Sequence, residues 1–226
     1  MSDLSAWTPR PRPERRAHDG RYVRLEPLDA ARHGEELFAA GAGADADELW
    51  RYLADGPYSD RASFESWLTK SMGDDPLFFA AIDKASGRVE GRLAFMRIDP
   101  ANGVIEVGHI LYGPRLARSP AATEAVYLLA RHVFEDLGYR RFEWKCNDLN
   151  APSKRAALRY GFAFEGVFRQ HMVVKGANRD TAWFAMLDHE WPARKAAFER
   201  WLAPDNFDDA GRQRARLGEL MASPIP

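Results

Sequence analysis

Apolar and polar residues change period several times along the chain, and each change marks an element. Residues 22–28 alternate as a half-buried strand does, and Asp29 stands where it can cap a helix running through Phe38. A run of small residues over 41–47 precedes 47–72, which reads as two short helices, the second carrying Phe64, Trp67, Leu68 and Met72 on one side. Three apolar strands are predicted over 77–83, 89–99 and 104–111, and the turn signals between them favour an antiparallel meander. Over 121–137 the apolar positions Ala122, Val126, Leu129, Ala130, Val133 and Leu137 recur at helical spacing, with Gly138 as the C-terminal stop. The strand at 139–146 should then lie parallel to the preceding one, through a right-handed crossover. A helix over 151–160, strands over 162–170 and 182–187 joined by a hairpin turn at 174–180, and a helical tail with Phe198, Trp201 and Leu202 complete the pattern.

Composition narrows the function. The 226 residues are 46% hydrophobic and 29% charged, enough for a sizeable core. Thirty-two lysines and arginines balance 33 aspartates and glutamates, which argues against a nucleic-acid binder or a protein held on anionic membranes. A single cysteine, Cys146, allows no internal disulfide and points to a reducing, cytoplasmic setting; the first 20 residues, rich in proline and arginine, lack the apolar run of an export signal. The expected division is an arm over 1–20, a main domain over 21–190 and a helical extension over 191–226. Gly41-Ala42-Gly43 follows a helix rather than a strand and so fails as a dinucleotide fingerprint, and Ala193 stands where a zinc motif beginning His189-Glu190 needs its second histidine.

The chemistry gathers around Glu106, Gly108 and the loop into the 121–137 helix. A helix N-terminus offers unpaired N–H groups and the positive end of its dipole to a pyrophosphate, with Arg115 and Arg118 nearby to add charge. Glu106 lies in an otherwise apolar strand, where it can act as a base or merely satisfy backbone or arginine partners. Asn150 and Ser153 can cap the 151–160 helix or serve chemistry.

Glu106-x-Gly108, the loop leading to Ala122-Thr123-Glu124-Ala125, Asn150-x-x-Ser153 and Gly161-Phe162, in that order, resemble the GNAT acyltransferases, in particular the branch containing the ribosomal-protein N-terminal acetyltransferases. The resemblance covers roughly residues 20–190. It implies a mixed α/β (α+β) fold with a mostly antiparallel, splayed sheet flanked by helices, and acetyl-CoA held where the fourth and fifth predicted strands separate. It places Ile110, Leu111, Arg118, Ser119, Ala121, Ala122, Thr123, Asn150 and Ser153 at the cofactor. Glu106 and Ser153 become the candidate proton acceptor and donor, for direct attack by an amine in a ternary complex. Trp50, Tyr52, Tyr58, His109, Arg169 and His171 are expected around the acceptor, a small molecule or a protein N-terminus; a homodimer is also implied.

Three positions depart from the family pattern, and the first is Ala117, which stands where the loop opens on glutamine or arginine. Pro120 replaces a loop glycine and has no N–H to give a phosphate, and Ala157 stands where many members carry a tyrosine acid, while Tyr160 on the same helix reads as core. These departures motivate a rival reading, a coenzyme-A-binding regulator without catalysis. A protein-interaction module built on the arm and the tail is a second rival, and a succinyl donor a variant of the enzyme.

Overall fold

The alternating segments pair into a single eight-stranded sheet, which the computed structural model describes together with its helices over residues 3–222. The strands are β1 (His18–Asp19), β2 (Val23–Pro27), β3 (Leu77–Asp83), β4 (Arg88–Asp99), β5 (Val104–Tyr112), β6 (Arg141–Asn147), β7 (Ala163–Val174) and β8 (Ala177–Leu187), in the spatial order β1-β2-β3-β4-β5-β6-β8-β7. All neighbours are antiparallel except β5 and β6. The short β1 makes the fourth predicted strand β5 and the fifth β6. The β7–β8 turn is tighter than expected, with the pairing closing at Val174↔Ala177.

The helices are α1 (Ala30–Ala40), α2 (Ala46–Trp50), α3 (Arg61–Lys70), α4 (Pro120–Arg131), α5 (Ala151–Arg159), α6 (Trp191–Leu202) and α7 (Leu217–Ala222). Asp29 caps α1 as expected, its carboxylate accepting from the Arg32 amide at 2.9 Å. On one face of the sheet α4 is buried around most of its circumference, with Ala125, Val126, Leu129 and Ala130 packed among Phe95, Phe142, Phe184 and Phe198. Full burial of each leucine-sized side chain there stabilises the fold by about 1.5–3 kcal/mol. The opposite face carries a smaller core of Leu28, Leu37, Phe64, Leu68 and Phe78, which seats α1 and α3. The helix expected over 121–137 stays α-helical only to Arg131 and then widens into a π-helical turn, His132–Asp136. There the His132 Nδ1 pairs with Asp136 at 2.7 Å and with Arg16 from the arm, and Gly138, at φ 66°, ends the element.

The arm lies against the body. Trp7 donates to the Ala101 carbonyl at 2.8 Å, and Arg10, Arg12 and Arg15 donate to the carbonyls of Gly138, Ile98 and Leu28. Arm and extension include residues 1–2 and 223–226, which fall outside the described residues. Among the described residues no helix is long and apolar enough to cross a membrane.

Candidate active site

The parallel pairing of β5 with β6 runs from Val104↔Arg141 to Val107↔Trp144 and stops. Beyond that point β5 continues with β4, through Gly91↔Tyr112, while β6 continues with β8, through Asn147↔Thr181. The two strands therefore part, and a cleft of about 820 Å³ opens between them. A bulge on β5 shapes its wall: Ala94 pairs with Gly108 and Arg92 with Leu111, so β5 uses one more residue than β4 over the same span, with His109 at φ 50°. Such an insertion takes main-chain groups out of the ladder and re-aims them.

At the point of parting sits Glu106, only 3% exposed. The apolar surroundings expected for it are replaced by an ion-pair cluster. Its Oε2 accepts from Arg97 at 2.7 Å and lies 3.1 Å from the Lys145 Nζ, which also pairs with Glu143 at 2.5 Å and rests over the Trp183 ring at 3.9 Å. Strand register groups the carboxylates with Lys145, since Glu106 pairs with Glu143 and Lys145 lies two residues on along β6; Arg97 joins them where the β4–β5 register shifts after Met96 and its own backbone turns to φ 49°.

His109 lines the same cleft. Burial, reinforced by the charge of Arg92 and opposed by Asp55, lowers its pKa to about 4, so it is neutral near pH 7. Its Nδ1 is 4.0 Å from Asp55, which in turn holds Arg92 at 2.5 Å. Arg92 is fully buried and stacks 4.1 Å from the Trp67 ring. Across the cleft, the Tyr52 hydroxyl donates to the Leu149 carbonyl at 3.1 Å, and Lys175 at the β7–β8 turn donates to the Trp50 carbonyl at 3.0 Å. These two contacts tie the α2 region over the gap.

At the other end Ala117, Arg118, Asn150, Pro152 and Ser153 line the opening. Ser119 caps α4, its Oγ accepting from the Ala122 amide at 3.1 Å and donating to the Leu116 carbonyl at 2.6 Å. Pro120 takes the first helical position, where a missing N–H costs the helix nothing. The amides of Arg118, at φ 63°, and Ala121 have no partner among the described residues. Asn150 caps α5 by accepting from the Ser153 amide at 3.1 Å, and the Ser153 Oγ accepts from the Trp144 indole at 3.0 Å. Cys146 also faces the cleft, but burial raises its pKa and keeps the thiol protonated.

Of the residues singled out from sequence, the fold brings Glu106, His109, Ile110, Arg118, Asn150, Ser153 and Tyr52 to this one cleft. Others lie elsewhere. Trp50 is 3% exposed, its indole bonded to the Gly41 carbonyl, and Tyr58 stacks against Trp50 and Phe64 with its hydroxyl on Asp55, so both pack behind the wall instead of forming it. Arg169 is exposed on the edge strand β7, and His171 bonds to Thr181 outside the lining. Leu111, Ala121, Ala122 and Thr123 are buried at the head of α4 or behind the bulge, and the Thr123 hydroxyl accepts from Arg159. Tyr160 and Ala157 belong to the core.

Sequence reading missed Arg97, Lys145 and Arg179. A charge at an inward position of an alternating strand was the available signal for Lys145, but its partner on β5 is 39 positions earlier and only register joins them. Among the described residues no group of acidic, histidine or cysteine side chains is arranged to hold a metal.

Comparison with known proteins agrees with this geometry. A crystal structure of a GCN5-related N-acetyltransferase from Brucella melitensis superposes with a TM-score of 0.95 at 62% identity, covering 96% of this chain and 99% of that one. A probable acetyltransferase of the GNAT family from Chromobacterium violaceum matches at 43% identity and a TM-score of 0.79, over 85% and 96% of the two chains. The ribosomal-protein-serine acetyltransferase of Escherichia coli is 31% identical over 97 residues, 43% of this chain and 54% of that protein. The acetyltransferase (GNAT) domain matches residues 23–163, more than half of the chain. A sheet that splays beside a capped helix, matched across its length by acetyltransferases of the same build, makes this chain a member of the GNAT family, acetyltransferases that draw their acyl group from acetyl-CoA.

Proposed function

We propose that the enzyme acetylates a primary amine, on a protein N-terminus or a small molecule, by direct attack within a ternary complex. The observation that carries this reading is Glu106, a buried carboxylate lining the cleft at the point where β5 and β6 part.

The residues present fit acetyl-CoA. The cleft is within the range of ligand sites, about 300–1,000 Å³, and Arg118 with the amides of Arg118 and Ala121 offers its diphosphate a positive, N–H-rich end. Pro120 has no N–H to give the diphosphate, and the Arg118 guanidinium with the unpaired amides of Arg118 and Ala121 takes over that contact. Bound there, the coenzyme supplies a thioester carbonyl open to attack and a thiol as leaving group. Glu106 takes the proton that the acceptor's ammonium must lose, directly or through a water, while Arg97 and Lys145 fix the carboxylate. The main chain of the bulge at His109 and Ile110 is released from the ladder and is available to steady the developing oxyanion. Ser153, oriented by the Trp144 indole, returns a proton to the departing sulfur. Protonated Cys146 has no role as a nucleophile, which favours one-step transfer.

The Escherichia coli relative, a ribosomal-protein-serine acetyltransferase, supports a protein as acceptor. The lone buried thiol supports a cytoplasmic setting, and the homodimer rests on family likeness. Glu106→Gln tests the reading: turnover should fall about 100-fold or more while acetyl-CoA affinity by calorimetry stays within a factor of about two. Unchanged turnover removes Glu106 from the mechanism, and wild-type protein that binds acetyl-CoA without consuming it against any amine leaves only the regulator.

A further inference from the structure

The acceptor end of the cleft holds more positive charge than its own carboxylates engage. Lys145 is committed to Glu106 and Glu143, and Arg97 to Glu106. Arg179, on β8 opposite Met172, also lines the cleft, yet its side chain makes no hydrogen bond or ion pair among the described residues. Its Nε is sealed from solvent and lacks a partner. A guanidinium keeps its proton under all ordinary conditions, carries five donors in a planar fork, and is expensive to desolvate unless something answers its charge. Burial lowers the pKa of Arg179, with the negative charge of Glu106 as the main opposing influence, so the group stands near Glu106 without contacting it.

We propose that Arg179 is a carboxylate subsite beside the transfer point, so that one of the two reacting molecules carries a carboxylate. This rests on the acyltransferase reading above. A carboxylate matches the guanidinium fork in shape and charge, and its placement next to Glu106 suits a molecule with an amine and a carboxylate a few bonds apart. The ammonium then faces Glu106 while the carboxylate faces Arg179, and the surplus positive charge of the cleft is met. The carboxylate belongs either to the acceptor, as in an amino acid, or to the acyl group, as in a succinyl thioester.

Thioester consumption by the intact protein separates these sources. In one arm amino acids are compared with their own amides, and aspartate and glutamate with asparagine and glutamine, using acetyl-CoA. In the other, succinyl-CoA is compared with acetyl-CoA using a neutral amine. One arm should show a preference in kcat/KM for the carboxylate-bearing partner of about 10- to 100-fold, the range of a charge-assisted hydrogen bond. That ratio should collapse to about threefold or less in Arg179→Gln and recover in part in Arg179→Lys, with melting curves confirming that each variant is folded. A preference that survives Arg179→Gln, or no preference for the carboxylate-bearing partner in either arm, overturns the subsite and leaves the acyltransferase intact. No thioester consumption in either arm overturns both.

Discussion

Glu124 stands in the family-like stretch Ala122–Ala125, yet its carboxylate faces away from the cleft and holds the start of β2. It accepts from the amides of Arg21, Tyr22 and Val23 at 2.8, 2.6 and 2.9 Å, and Glu124 itself is only 5% exposed. A Cβ at Gly20 would lie 2.4 Å from this carboxyl group, so any side chain there would push the carboxylate off the amides it holds. Replacing Glu124 by alanine leaves three donors without their acceptor where water has little access. At about 1.5–3 kcal/mol for a hydrogen bond to a charged group, discounted because three bonds share two oxygens, the loss is about 3–5 kcal/mol. For a chain of this size that lowers the melting midpoint by on the order of 10 °C. Glu124→Gln, which keeps one acceptor oxygen, should lose roughly half as much. Urea unfolding followed by tryptophan fluorescence measures the change, and kcat/KM at 20 °C should remain within about twofold for the folded enzyme, because Glu124 does not line the cleft. A loss below about 1 kcal/mol would refute the assignment of Glu124 as the anchor of β2.

Lys145→Met removes the cation shared by Glu106 and Glu143; stability should drop by about 3 kcal/mol, with a fall in turnover, and equal turnover would show that Lys145 does not position Glu106. Arg118→Ala should raise the acetyl-CoA dissociation constant about tenfold by calorimetry, and an unchanged constant would move the diphosphate away from the head of α4. His18 and His109 are held neutral, with pKa values lowered to about 3 and about 4 chiefly by burial, while in the unfolded chain histidine titrates near 6.5. Protonation therefore favours unfolding: their contribution is complete above about pH 6.5 and declines as pH falls from there through 4. Urea midpoints at pH 7.5, 6 and 5 should fall in that order, and less steeply for His18→Gln; midpoints flat over this window would contradict the burial.

What could be read from sequence was local. Periodicity marked the strands and the helices, Asp29 and Gly138 punctuated them, and the spacing from Glu106 through Asn150 and Ser153 to Gly161 announced the family, because each signal depends on neighbours within a few turns or on a motif read in order. Pairing and burial were settled only in three dimensions. Glu106 looked like a lone carboxylate in an apolar strand and became one member of a cluster with Arg97 and Lys145, because register across β5 and β6 sets Lys145 on its face and the irregularity of β4 at Arg97 turns that side chain to the same side. Trp50 and Tyr58 have the composition of pocket walls, but close packing under α3 turned them inward. Arg179 carried no local signal at all. Its importance arises because β6 leaves β5 after Trp144, opening the cleft along which Arg179 is exposed to a ligand, and the energy of a charge depends on what surrounds it in space rather than on its neighbours in the chain.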